Sequence, residues 1–306
     1  MLNLLDNVQI NFDTNSLWIL NLALGFVMFG IALSLDWREF KPVVLKPKSL
    51  LVGVFSQFFV LPFLTYLLVL IIKPDPSLAL GMMLVAACPG GNISNFITHY
   101  ANGNDALSVT LTAIATLLAV VMTPFNLAFW GGLYPPTASI LRTVAIPPIE
   151  IVELVGLILA LPLVLGMLVH KGYPNWAKKV SAILKKASLI FFFLLIALAL
   201  QKNLETFKSY VMEVFWLVFI HNFIAFLSGF SFAKMAKLPW RDVKSITIET
   251  GIQNSGLGLL LIFSFFEGLG GMAILAAFWG IWHLISGLIL GTVFKKINSQ
   301  SLITSP

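Results

Sequence analysis

Glu249 is the residue of this sequence best placed to do chemistry. It lies within SITIETGIQNSGLGLLLI (245–262), a stretch that is otherwise uncharged. Burying an ionised carboxylate at membrane depth costs about 3 kcal/mol on insertion scales, so it needs a counter-charge. Lys and Arg all read as loop or tail residues, which leaves no basic side chain at that depth. A proton or an imported cation must then neutralise the acid. Gln57, Ser94, Asn95, Ser108, Thr112, Thr250 and Gln253 offer neutral oxygens, the ligands that hard cations prefer. Ser108 and Thr112 are four residues apart, which puts both hydroxyls on one face of a helix.

The segments that carry these residues cannot be continuous helices. LVAACPGGNISNFITHY (84–100) has Pro89, Gly90 and Gly91 at its centre, and the Glu249 segment has Gly251 followed by Gln253, Asn254 and Ser255. Proline costs about 3 kcal/mol and glycine about 1 kcal/mol in a helix interior. Breaks are therefore expected near 88–95 and 249–256. Unwound backbone at membrane depth needs protein or a polar cavity around it. Carbonyls at such breaks hold Na⁺ in transporters, and paired breaks in two halves mark a transporter's binding site. Half-helices starting near Asn92 and Asn254 would aim free N–H groups and positive dipole ends at the crossing, which suits an anionic substrate, especially a carboxylate.

The whole chain has to place these breaks inside a membrane. Of 306 residues, 58% are apolar and only 10% charged, and 26 are Phe; a soluble domain carries about 25% charged residues. The mean hydropathy is +0.94. An all-α polytopic membrane protein follows, and soluble enzymes and nucleic-acid binders are excluded despite a net charge of +6. With about 20 apolar residues per span, nine spans are expected, at 16–35, 49–72, 77–98, 107–130, 149–169, 187–204, 211–232, 245–265 and 271–293. An outside N-terminus then places fifteen of the 19 Lys and Arg on the cytoplasmic side and four (Lys73, Arg142, Lys202, Lys208) outside. The two broken spans are the third and eighth, so they cross in opposite directions, as an inverted repeat requires.

Other classes find less support. An intramembrane hydrolase would need an Asp pair, an HExxH zinc set or an activated Ser with a base. No span holds two Asp residues, no HExxH occurs and the four His are scattered. The lone Cys88 beside the first break is the only feature favouring a proton-coupled or metalloid exporter, and a small buried Cys is the plainer reading. A membrane receptor for the same ligand would show the same binding residues.

At these residues the chain resembles the bile acid:sodium symporter family, in its nine-span form. The similar pieces are MFGIALSL (28–35), GVFSQFFVLP (53–62), CPGGNISN (88–95), GNDALSVTLTAIATL (103–117), KLPW (237–240) and TIETGIQNSGL (247–257). The resemblance implies a core domain (49–130 and 211–293) with two crossed discontinuous helices, and a panel domain (16–48 and 131–210) that moves against it. It implies one sodium site at Ser94, Asn95, Ser108, Thr112 and Glu249. A second would use Gln57, Glu249, Gln253 and the carbonyls of Thr250 and Ile252. Asn92, Asn254 and His283 fall where the family approaches substrate, although Asn92 stands where many relatives have Thr. The function implied is sodium-coupled symport of an organic anion: a bile acid, a small carboxylate such as pantoate, or another. It would be carried out by a monomer in the plasma membrane (the inner membrane of a bacterium) with two Na⁺ and no other cofactor.

Overall fold

The computed structural model describes residues 47–91, 93–143, 164–202 and 204–303, with short pieces at 25–26, 29–30, 32–33 and 161–162. The first and fifth expected spans lie largely outside the described residues, and so does Asn92. Among the described residues the fold is all-α. Its helices are α1 (Pro47–Ile72), α2 (Pro76–Ala87), α3 (Ile93–Tyr100), α4 (Asp105–Leu133), α5 (Pro135–Thr143), α6 (Pro174–Lys202), α7 (Leu204–Met235), α8 (Trp240–Gly251), α9 (Ser255–Phe265) and α10 (Gly270–Ile303). Four stretches are long and apolar enough to cross a bilayer: Pro47–Ile72, Asp105–Leu133, Val211–Met235 and Gly270–Ile297. Each turns an apolar stripe outward at three- to four-residue spacing, for example Leu51, Phe55, Phe59 and Phe63 on α1. Such stripes fit lipid, where no polar face is required.

The long helices enclose the two broken ones. α2 is buried from Ser77 to Ala87, α8 from Val243 to Gly251, and α9 over most of its length. α2 stops at Cys88 and α8 at Ile252, both in extended conformation, and the two breaks pair with each other. The Gly91 amide donates to the Ile252 carbonyl (2.8 Å) and the Asn254 amide to the Pro89 carbonyl (2.9 Å). The result is an antiparallel bridge between Gly90 and Gln253, the crossing expected from the sequence.

Two features were not legible in the sequence. α1 contains a π-turn at Ser56–Val60, where the Leu61 amide reaches back to the Ser56 carbonyl. Pro62 has no N–H and its ring clashes with the carbonyl four residues earlier. The Phe58 carbonyl is thereby freed, and Asn126 Nδ2 on α4 donates to it (3.1 Å). Lys244, read from sequence as a loop residue, is instead inside α8 and wholly buried. A cation therefore does lie on the helix of Glu249, five residues away, but its ammonium donates to the Ala101 carbonyl (2.7 Å).

Close backbone contacts tie the layers together. A Cβ on Gly81 of α2 would stand 3.0 Å from Met272 Cα at the start of α10, and one on Gly229 of α7 would stand 2.9 Å from the Ile246 carbonyl of α8. Gly81→Val is expected to overpack the α2–α10 contact at a cost of about 1–3 kcal/mol. A lowered melting temperature of the detergent-solubilised protein would register it.

Candidate functional site

The crossing leaves helix-terminal carbonyls without intrahelical partners, and each has to be satisfied inside the protein. Thr123 Oγ1 donates to the Ala87 carbonyl (2.7 Å), and Gln57 Nε2 to that of Cys88 (2.8 Å). Across the crossing, Asn222 Nδ2 donates to the Gly251 carbonyl (2.8 Å) and is itself held by Ser286. Gln253 Nε2 donates to the Thr250 carbonyl (2.6 Å). Thr123 and Asn222 therefore close off the breaks. Helix α9 starts on Asn254, whose Oδ1 accepts the Leu257 amide (3.0 Å) as an N-cap.

Glu249 sits at the centre of this framework, 3% exposed and without an ion pair among the described residues. Ser94 Oγ of α3 donates to its Oε2 (2.5 Å) and Thr112 Oγ1 of α4 to its Oε1 (2.7 Å). Ser108 Oγ lies 3.5 Å from Oε2, and Asn95 Oδ1 accepts from Ser108 (2.8 Å) and from Thr112 (3.2 Å). Three helices thus bring Ser94, Asn95, Ser108, Thr112 and Glu249 to one point. Each hydroxyl has a single proton, so three protons are shared by a larger set of oxygens from the hydroxyls, the Asn95 amide and the carboxylate. Lone pairs outnumber the donors, and the surplus carries negative charge. That composition matches a hard cation.

A second oxygen group lies on the other side of the crossing. The π-turn carries Ser56 and Gln57 inward, where Ser56 Oγ meets Thr250 Oγ1 (3.2 Å) and Gln57 Nε2 donates to Gln253 Oε1 (2.7 Å). Gln57 Oε1 is buried with no hydrogen-bond partner among the described residues. A buried unpaired amide oxygen is rare, and here it belongs to a side chain whose Nε2 bridges the Cys88 carbonyl and Gln253 Oε1 at the crossing. The Ile252 carbonyl also accepts from the Gly91 amide and keeps one lone pair.

Of the residues expected near a substrate, Asn254 is at the crossing and half-buried. His283 shares a helix face with Gly280 and Gly287. A Cβ on Gly280 would lie 2.8 Å from Ser255 Oγ, and one on Gly287 2.7 Å from Ile252 Cδ1, so this face of α10 packs on the second break. His283 Nδ1 is buried there without a hydrogen-bond partner among the described residues. His221 is not brought to the site: its Nε2 pairs with Thr65 Oγ1 (2.7 Å) and its ring packs on Trp279. Cys88 is buried against Gly258, and no group of three His, Cys, Asp or Glu that could hold a metal occurs among the described residues.

Apolar spanning helices around two broken ones, with hydroxyls, amides and one acid at their crossing, define a multi-pass membrane transporter. Comparison with known proteins agrees. The sodium bile acid symporter family matches residues 21–210. An uncharacterised sodium-dependent transporter of Bacillus subtilis (strain 168) is 33% identical over 91% of this chain and 84% of its own length. A probable chloroplastic sodium/metabolite cotransporter of Oryza sativa subsp. japonica is 30% identical over 79% of this chain and 56% of its own length. The ileal sodium/bile acid cotransporter of Homo sapiens is 27% identical over 78% and 67%. The chain belongs to the sodium bile acid symporter family, whose members are transporters and not enzymes.

The cage leaves no space at Gly90, because a Cβ there would collide with Glu249 Oε1, whereas Gly132 on α4 faces nothing within 4 Å. Gly90→Ala should therefore lower the melting temperature by several degrees while Gly132→Ala leaves it near the wild-type value. Parallel thermal unfolding of the two variants decides the point.

Proposed function

We propose that the protein is a sodium-coupled symporter that takes up an organic anion by alternating access. The observation that carries this reading is the buried Glu249 carboxylate, which has no basic partner among the described residues and stands among the oxygens of Ser94, Asn95, Ser108 and Thr112. One Na⁺ occupies that group. The second occupies Gln57, Glu249, Gln253 and the carbonyls of Thr250 and Ile252, where the unpartnered Gln57 Oε1 has the chemistry of a cation ligand. The relatives named for sodium dependence support the choice of ion.

The anion binds at the crossing, at the N-terminal ends of α3 and α9, with Asn92, Asn254 and His283 around it. Sodium in both cages fixes the two breaks against each other, and the anion then meets ordered N–H groups. Two Na⁺ with a monovalent carboxylate carry one net positive charge, worth about 2.3 kcal/mol per 100 mV. Each tenfold sodium gradient adds about 1.4 kcal/mol per ion. The direction is concentrative uptake.

In this reading the protein has nine spans, an outside N-terminus and a cytoplasmic C-terminus in the plasma membrane (a bacterium's inner membrane), and acts as a monomer. Its halves form an inverted repeat, with core (49–130 and 211–293) and panel (16–48 and 131–210) moving against each other. Matched helix ends support the repeat. α1 and α7 are each followed by a left-handed residue, Lys73 and Lys237, and α3 and α9 likewise by Asn102 and Glu267. α2 and α8 have 12 residues each.

In liposomes, purified protein is expected to accumulate carboxylates under an inward sodium gradient, faster with a negative interior, and Glu249→Gln to lose the sodium dependence. A screen of carboxylates for thermal stabilisation in NaCl against KCl would identify the substrate; no acid stabilising the protein only in NaCl counts against symport. In a Cys88→Ser background, membrane-impermeant thiol labelling of intact cells should reach Lys73→Cys and not Lys237→Cys. The reverse pattern would overturn the orientation.

A further inference from the structure

The three helices that supply the Glu249 cage meet again at one end of the core, in a second polar cluster. α3 ends there and α4 begins there, joined by Ala101–Asn104, and the first turns of α8 lie against that corner. Lys244 Nζ donates to the Ala101 carbonyl (2.7 Å), and Arg241 Nε and Nη2 to the Gly103 carbonyl (3.1 and 2.9 Å). Asn104 Nδ2 donates to Asp242 Oδ1 (2.8 Å), the Asn104 amide to Ser245 Oγ (2.8 Å), and Ser49 Oγ of α1 to Asp242 Oδ2 (2.6 Å). Asn104 also caps α4 through the Leu107 amide (3.2 Å). Two cations thus meet the carbonyl end of α3, where helix dipoles favour positive charge.

Lys244 is the unusual member. It is wholly buried, and its ammonium lies 5.9 Å from the Trp240 ring centroid and 6.0 Å from that of Phe294. Burying an ammonium is costly, and among the described residues one carbonyl and two aromatic faces offset that cost here. The corner is also close to the cage. At about 1.5 Å per helical residue, Glu249 is about 7.5 Å along α8 from Lys244, and Ser108 about one turn from Asn104. The related corner between α2 and α10 is built differently: Gly81 and Gly271 bring backbone directly against Met272 and Ser77.

We infer that Lys244, Asp242 and Asn104 form a latch that holds α3, α4 and α8 in the register in which Ser94, Asn95, Ser108, Thr112 and Glu249 bind a cation. They are positioning residues, since none of their side chains bonds to a cage residue, and only the Asn104 carbonyl, which accepts the Ser108 amide (3.0 Å), meets one through the backbone. The inference rests on the cation reading of that cage. Polar groups that orient the ligands of a metal typically change its affinity by about 10- to 100-fold. An effect of that kind separates a latch from a merely structural contact, which would lower stability with and without sodium alike.

The experiment is a sodium titration of the melting temperature of the purified full-length protein, with KCl replacing NaCl at constant ionic strength. Lys244→Met keeps the aliphatic stem and removes the donor, and Asn104→Ala removes the link to Asp242. Both should raise the sodium midpoint roughly tenfold or more. Gly81→Val at the other corner should lower the melting temperature in both salts and leave the midpoint unchanged. If Lys244→Met yields no folded protein, Asn104→Ala and Ser49→Ala carry the test. A wild-type midpoint in the folded latch variants overturns the latch alone. A wild-type protein that sodium does not stabilise overturns the cation reading, and the latch with it.

Discussion

A helix interrupted at membrane depth exposes backbone groups that lipid cannot satisfy, and the protein has to supply every partner itself. The rest of this structure follows from that constraint. Gln57, Thr123 and Asn222 take up carbonyls at the ends of α2 and α8, while the two breaks satisfy each other through Gly91–Ile252 and Pro89–Asn254. Among the described residues, four long helices with exposed apolar stripes surround that arrangement.

The same constraint produces the chemistry. A break that must be enclosed by polar groups becomes a concentration of oxygens in an apolar body, and electrostatics is stronger there than in water. Glu249 adds a charge that no basic residue answers among those described. Lys244 makes the point sharper, since the one buried cation on its helix is committed to the Ala101 carbonyl at the far end of α3. The division of labour along α8 is thus cation at one end for structure, anion further along for function.

Most of the candidate site was legible because broken helices have a local cause. Pro89 with Gly90 and Gly91, and Gly251 next to Gln253 and Asn254, make a continuous helix costly at those points, and the four-residue spacing of Ser108 and Thr112 puts their hydroxyls on one face. Other parts had no local signal. Gln57 reaches the crossing because a π-turn ahead of Pro62 shifts its direction, and Thr123 and Asn222 matter only for the carbonyls they face.

The sequence by itself determined the membrane class, the two interruptions and the lone acid, since hydrophobic length, helix-breaking residues and charge are properties of short segments. The tertiary structure decided which oxygens converge on Glu249, how the freed carbonyls are satisfied and that Lys244 is buried away from the acid. Those outcomes depend on contacts between different helices, some between residues more than a hundred positions apart, such as Ser94 with Glu249 and Ala101 with Lys244, and others between residues about thirty apart, such as Gln57 with Cys88 and Asn222 with Gly251. Only packing brings such residues within hydrogen-bond reach, so no spacing along the chain encodes them.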